Sequence, residues 1–164
     1  KTGLVFEELT DPPATRFWPA VKGRDGCRPP MVWQKDAPNA GFSTGTPWLP
    51  VKAPQAAKAV DQQTDDGIFA YYKEMIAYRR NSPALSRGTT AFISLPEPLL
   101  AFTRADADQK LTCIFNLSAN KESVSLKAPA QIAQGAAAKI TGDTLTLDGN
   151  GFAYLSHDGA EAPL

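Results

Sequence analysis

The chain has 164 residues, 43% hydrophobic and 21% charged, the make-up of a folded protein with one ordinary domain or two small ones. Its 17 Lys and Arg balance 17 Asp and Glu, which leaves no basic stripe to hold a nucleic-acid backbone or an anionic membrane surface. No apolar run approaches the ~20 residues that span a bilayer, and the two cysteines, Cys27 and Cys113, are too few for a disulfide scaffold.

The amino terminus, KTGLVFEELTDPP, lacks the charged-then-apolar pattern of a secretory leader and does not begin with methionine, so the chain reads as a piece of something longer. Residues 1–64 hold all three tryptophans, Trp18, Trp33 and Trp48, and many of the 14 prolines. Proline fixes φ and removes a donor, so this stretch sustains neither long helices nor central strands. It is nonetheless rich in large apolar side chains, unlike a flexible linker. A long, irregular, aromatic segment of this kind predicts an ordered binding-type loop.

A helix follows. Ile68, Tyr72, Met75, Ile76 and Arg79 recur on one face at helical spacing, with Asp65 or Asp66 as the N-cap and an end before Pro83. The aromatic side chains of Phe69, Tyr71 and Tyr72 are expected in a core. After residue 85 the texture changes to short alternating runs, such as Leu111, Cys113, Phe115 and Leu117 against Thr112, Ile114 and Asn116. Turn residues separate them at 105–108, 141–143 and 148–151. The pattern predicts strands near 89–95, 99–104, 110–117, 122–127, 144–148 and 151–156, forming an antiparallel sandwich. The stretch 128–139, APAQIAQGAAAK, takes no assignment, because its helix propensity is interrupted by proline and glycine.

The proline-rich half carries a recognisable motif. Residues 16–33 read RFWPAVKGRDGCRPPMVW and residues 38–50 read PNAGFSTGTPWLP. Asp11-Pro12, Trp18-Pro19, Gly23 to Arg28, Pro30-Met31, Trp33, Asn39 to Ser43, Gly45 and Pro47 to Val51 fall in one order. That order resembles the loop after the eighth barrel strand in α-glucosidases of glycoside hydrolase family 13. Phe69 to Lys73 and Arg79 to Leu85 are similar to the family's last barrel helix, and the strands beyond suit its antiparallel domain C. Pro29 departs from the family's threonine and withholds a hydroxyl and an amide donor.

The resemblance implies an α+β chain. Residues 1–85 would be the end of a (β/α)8 barrel, and residues 86–164 a C-terminal β-sandwich. It implies part of an enzyme that hydrolyses terminal α-linked glucose from short oligosaccharides with retention. Retention needs a carboxylate nucleophile and a carboxylic acid about 5 Å apart. In the family these stand on earlier barrel strands, so no catalytic residue is expected in this chain. The remainder of the barrel is the expected intramolecular partner. Arg28 is the residue the motif assigns to substrate binding, because a guanidinium offers a planar fork that bridges a carboxylate and a sugar hydroxyl.

Other residues take blander roles. Arg24 and Asp25 are expected to pair and brace the loop. The three tryptophans anchor it to the barrel rim rather than stack on sugar. Glu7 and Glu8 are structural, and His157, the only histidine, is expected to be exposed. No metal-ligand spacing and no cofactor motif is present, and neither a nucleic acid nor a membrane is an expected partner. The expected location is the cytoplasm, with the periplasm as the alternative. Competing readings are a glucosyl transferase or isomerase of the same family acting on sucrose, trehalose or maltose, and a non-catalytic relative.

Overall fold

The computed structural model describes residues 3–158 and 161–164. The chain packs as two compact units that divide between Glu74 and Met75. No helix among the described residues is long and apolar enough to cross a membrane.

The first unit holds little regular structure, as its prolines dictate. Helices α1 (Pro12–Phe17) and α2 (Ala53–Ala56) are short, and 3-10 turns stand at Phe6–Glu8, Asp25–Cys27, Pro38–Gly41 and Val60–Gln62. Main-chain bonds order the segment instead. The Val60 and Asp61 amides donate to the carbonyls of Val32 and Trp33, both at 3.1 Å. The Ala40 carbonyl takes the Trp33 and Gln34 amides at 2.9 and 3.0 Å. That bond pattern holds Asn39 and Ala40 at φ 51° and 53°, in the left-handed region. The Asn39 side chain compensates by donating to the Ser43 and Gly45 carbonyls, each at 2.9 Å.

The apolar contacts of this unit are sparse. Val32, Ala40 and Ala59 form a small buried cluster with Val51 against it. Phe17, Met31, Trp33, Phe42 and Trp48 stay exposed. Apolar surface on this scale signals a partner surface that the described residues do not supply.

Helix α3 (Ile68–Asn81) forms where the periodicity predicts it, but its aromatic face is not a core. Phe69, Tyr71 and Tyr72 are exposed, and no residue of the helix is buried. A helical stripe is buried only when something packs on it, and the described residues leave more than half of Ile68, Phe69 and Tyr72 exposed. The expected acidic cap also differs. The Asp66 carboxylate accepts the Thr64 hydroxyl at 2.5 Å, while the Tyr71 amide bonds the Gly67 carbonyl at 3.0 Å. Pro83 ends α3 as its ring requires and opens a second helix, α4 (Pro83–Arg87), whose N-cap hydroxyl belongs to Ser82. Arg104 seals the far end by donating to the Ala84 and Leu85 carbonyls at 3.0 and 3.2 Å.

The second unit is an antiparallel sheet of β1 (Thr89–Ile93), β2 (Leu99–Ala105), β3 (Lys110–Asn116), β4 (Glu122–Ser125), β5 (Gln131–Thr141) and β6 (Thr144–Ser156). Its order is β1-β2-β3-β6-β4, with β5 on the other edge of β6. Two expectations need correction. Residues 144–148 and 151–156 belong to one long strand, although its cross-strand pairing lapses between Leu147 and Phe152, where Asn150 turns through φ 58° and donates its amide to the Ser118 carbonyl at 2.8 Å. The unassigned 128–139 stretch contributes most of β5. Its small side chains accept register shifts at Ile132/Gln134 and Ala136/Ala138 while pairing with both ends of β6, Thr144 to Leu147 and Phe152 to Ser156.

The sheet curls because β6 pairs β4 through Leu145 and Leu147 and β3 through Phe152 to Leu155. Its two halves therefore share one core, in which Ile114, Leu145, Leu147, Ala153 and Leu155 are buried together. On the opposite face Leu111 and Cys113 pack with Ala84 and Leu85 of α4. A run of rings, Phe92, Phe102, Phe115 and Phe152, crosses four strands on that face with centroids 5.8–5.9 Å apart.

Candidate functional site

The Asp11-Pro12-Pro13 run opens α1, and neither proline has an amide hydrogen for a cap to satisfy. The Asp11 side chain makes no cap bond and turns to Arg24 instead. It accepts the Arg24 amide at 2.8 Å and the Arg24 Nη2 at 3.0 Å. Gly23, at φ 62°, makes this approach feasible, since a Cβ there would stand 2.5 Å from Asp11 Oδ2. Arg24 thus pairs with Asp11, not with Asp25 as expected. An acid 13 residues back is brought to it by the loop, and the adjacent acid faces the other way.

Asp25 is fully buried and takes four donors on two oxygens. Oδ2 accepts the Thr10 amide at 2.7 Å and the Asp11 amide at 2.8 Å. Oδ1 accepts the Thr10 hydroxyl at 3.0 Å and Arg28 Nη2 at 2.5 Å. The 3-10 turn at Asp25–Cys27 makes that last contact local, because it brings positions i and i+3 onto one side. Arg28 Nη2 also lies 3.5 Å from Asp11 Oδ1. Two buried carboxylates and two guanidinium groups thus form one neutral cluster, the arrangement in which buried charge is tolerated.

The cluster sets the protonation states. Burial works against the charge of Asp25, but the Asp11 and Thr10 amides, the Thr10 hydroxyl and Arg28 outweigh it, and the carboxyl falls to about 2. The Arg24 side chain and amide hold Asp11 below the usual carboxylate range. Both acids therefore remain ionised at neutral pH and act as anchors.

The guanidinium of Arg28 lies 5.3 Å from the ring centre of Trp48, within cation–π range. Arg28, Pro29, Pro30, Phe42, Trp48 and Leu49 line a cavity of about 260 Å³. Phe42 reaches it from the end of the left-handed Asn39–Gly41 turn. Arg28 Nη1 and Nε donate to no described residue, so part of the fork is unused within the chain. The arrangement places a guanidinium with unspent donors and the exposed rings of Phe42 and Trp48 around a small hollow.

Glu8 pairs with Lys52 and accepts the Val5 amide at 3.0 Å, a structural brace. Trp18 lies against Phe6, with ring centres 6.3 Å apart. His157 is half-buried rather than exposed, with Nε2 3.2 Å from the hydroxyl of buried Thr112. Thr112 pairs with Leu155 across β3 and β6, which puts His157, just past the end of β6, beside that hydroxyl. Among the described residues no group of three or more His, Cys, Asp or Glu is placed to hold a metal ion. Sequence reasoning missed Asp11 and Thr10. The signal available was an acid directly before two prolines, where an ordinary cap has nothing to bind.

A family profile described as the catalytic domain of α-amylase matches residues 3–88. The chain belongs to the α-amylase family, glycoside hydrolase family 13. It is 42% identical over 117 residues to a probable α-glucosidase of Rhizobium meliloti (strain 1021), covering 70% of this chain and 21% of that protein. It is 38% identical over 104 residues to an oligo-1,6-glucosidase of Bacillus cereus, covering 62% of this chain and 18% of that one. The chain thus spans about a fifth of the length of these relatives. Among solved structures it is similar to the α-glucosyl transfer enzyme XgtA. The TM-score is 0.76 at 38% identity, over 95% of this chain and 30% of that one. A MutB mutant bound to sucrose matches with a TM-score of 0.64 at 26% identity, over 84% of this chain and 26% of that one.

Proposed function

We propose that the chain is the C-terminal part of an α-glucosidase that cleaves terminal α-linked glucose from short oligosaccharides with retention. Residues 1–85 then complete the (β/α)8 barrel and residues 86–164 form its all-β domain. The observation that carries this reading is Arg28, which holds a buried carboxylate with one nitrogen and keeps donors unspent beside Phe42 and Trp48. In this reading Arg28 binds the terminal glucose. Asp11 and Asp25 cannot serve as acid and nucleophile, because amides and guanidinium groups occupy the oxygens of both buried acids. That pair belongs to the remainder of the barrel, the intramolecular partner of this chain. The enzyme works in the cytoplasm, or in the periplasm in the alternative.

A second reading, glucosyl transfer or isomerisation, is favoured by the similarity to XgtA over 95% of the chain. Both readings share the glucose contact at Arg28 and differ in whether water or a sugar accepts the glucosyl group. The test is proton NMR of anomeric signals when the intact protein is given maltose, isomaltose and sucrose in turn. The first reading expects free glucose, released first as the α-anomer. New disaccharides as main products favour the second, and β-glucose as the first product, or no turnover of any of the three, refutes both.

A further inference from the structure

Asp25 has no access to solvent or to a substrate, yet every contact at its two oxygens is with a donor. Oδ2 is held by consecutive main-chain amides, those of Thr10 and Asp11, so the plane of the carboxylate is fixed by the backbone itself. Oδ1 is then presented to Arg28 Nη2 at 2.5 Å, with the Thr10 hydroxyl beside it at 3.0 Å. On its other side the guanidinium rests 5.3 Å from the Trp48 ring centre. A long side chain that is 35% exposed has many rotamers available, and these contacts select one of them. We propose that Asp25 is a positioning residue for Arg28, aiming the guanidinium at the cavity it lines with Phe42 and Trp48. The proposal rests on the reading of Arg28 as the glucose contact.

Asp25→Asn is a sharp probe because the amide keeps the shape and reverses one end. Whichever way the Asn is turned, its NH2 faces a donor, either the two main-chain amides or the guanidinium. The amides cannot move without unfolding the loop, so Arg28 is displaced. A residue that only stabilises the loop would lower the melting temperature and leave the kinetics of the folded enzyme unchanged.

The experiment is a double-mutant cycle in the intact protein, with kcat/KM on maltose corrected for the folded fraction. Asp25→Asn is expected to lower kcat/KM by about 10- to 100-fold. The Asp25→Asn, Arg28→Lys double variant should fall within about threefold of Arg28→Lys alone, because the second change finds nothing left to position. Losses that multiply, or an Asp25→Asn enzyme with unchanged kcat/KM and a lower melting temperature, overturn the proposal and leave Arg28 in place. An Arg28→Lys enzyme within about threefold of the parent overturns the glucose-contact reading, and this proposal with it. If Asp25→Asn does not fold, Thr10→Val removes one hydroxyl from Oδ1 at nearly constant volume and enters the same cycle. Its expected loss is about threefold, also absent in the Arg28→Lys background.

Discussion

Arg28 Nη2 stands 2.5 Å from Oδ1 of Asp25, a carboxylate with no exposed surface, whereas Arg24, four residues earlier, is 71% exposed on Asp11. The two arginines of one short motif therefore differ in what their loss costs.

Arg28→Lys keeps the charge and loses the planar fork. In the intact enzyme it should cost about 2–3 kcal/mol of transition-state binding, roughly 30- to 150-fold in kcat/KM. Arg24→Lys keeps the cation and the main-chain amide bond to buried Asp11 on a side chain that is largely exposed, so it should cost about 1 kcal/mol of stability and leave kcat/KM within about threefold. Steady-state kinetics on maltose with melting curves for both variants distinguish the roles. Equal kinetic losses would reassign Arg24 to the site.

Acid should loosen the loop in a definite pH window. The folded Asp25 carboxyl sits at about 2 against an ordinary 3.8, so the unfolded chain takes up the proton first as pH falls. The stabilisation is complete above roughly pH 5 and is lost as pH drops through about 4 toward 2. Amide NMR shifts of Thr10 and Asp11 should titrate in the folded protein with a midpoint near 2. Asp25→Asn should abolish that titration and flatten its share of the acid slope in urea unfolding. A midpoint near 4 would show that the four donors do not act on the carboxylate as drawn.

The two thiols should differ sharply. Cys27 is exposed on the loop, while Cys113 is buried in β3, where burial pushes its thiol up to about 12. A thiolate-selective reagent at pH 8 should label one equivalent quickly and the second only on unfolding. Peptide mapping should place the first label on Cys27. Fast labelling of both would show that the β3 face opens in solution.

Two left-handed glycines separate strain from crowding. Gly142 has φ 60° with nothing within 4 Å of a new Cβ, so Gly142→Ala should cost about 1 kcal/mol. At Gly23, φ 62°, the new methyl would lie 2.5 Å from Asp11 Oδ2 and 2.6 Å from Ala14 Cβ. Gly23→Ala should cost at least about 1 kcal/mol more than that. All three tryptophans lie before residue 74, so their fluorescence reports Gly23→Ala in its own unit. Circular dichroism of the sheet reports Gly142→Ala, and equal losses would mean that the Asp11 contact is loose.

Much of this was legible in the amino acids themselves. Alternation exposed β4, since a strand with one buried face must repeat every second residue, and it also marked β3, although the sheet buries both of that strand's faces. Helical spacing exposed α3, and Pro83 marked its end by local sterics alone. The order of Trp, Gly, Arg, Asp and Pro residues marked the loop and singled out Arg28. Each of these properties depends on neighbours within a few positions.

Tertiary structure decided the rest. β5 carries an alanine-rich sequence with no strand signal, and pairing along β6 alone makes it a strand. β6 runs through a Gly-Asn-Gly stretch that reads as a turn, because β4 and β5 pair it before that stretch and β3 and β5 pair it after. Phe69 and Tyr72 form the stripe of a buried helix yet lie exposed, since burial needs a second surface and not only a periodic one. Arg24 sits next to an aspartate in sequence and bonds another 13 residues away. Which carboxylate a guanidinium meets is set by how the loop closes, and loop closure joins positions whose separation no local pattern records.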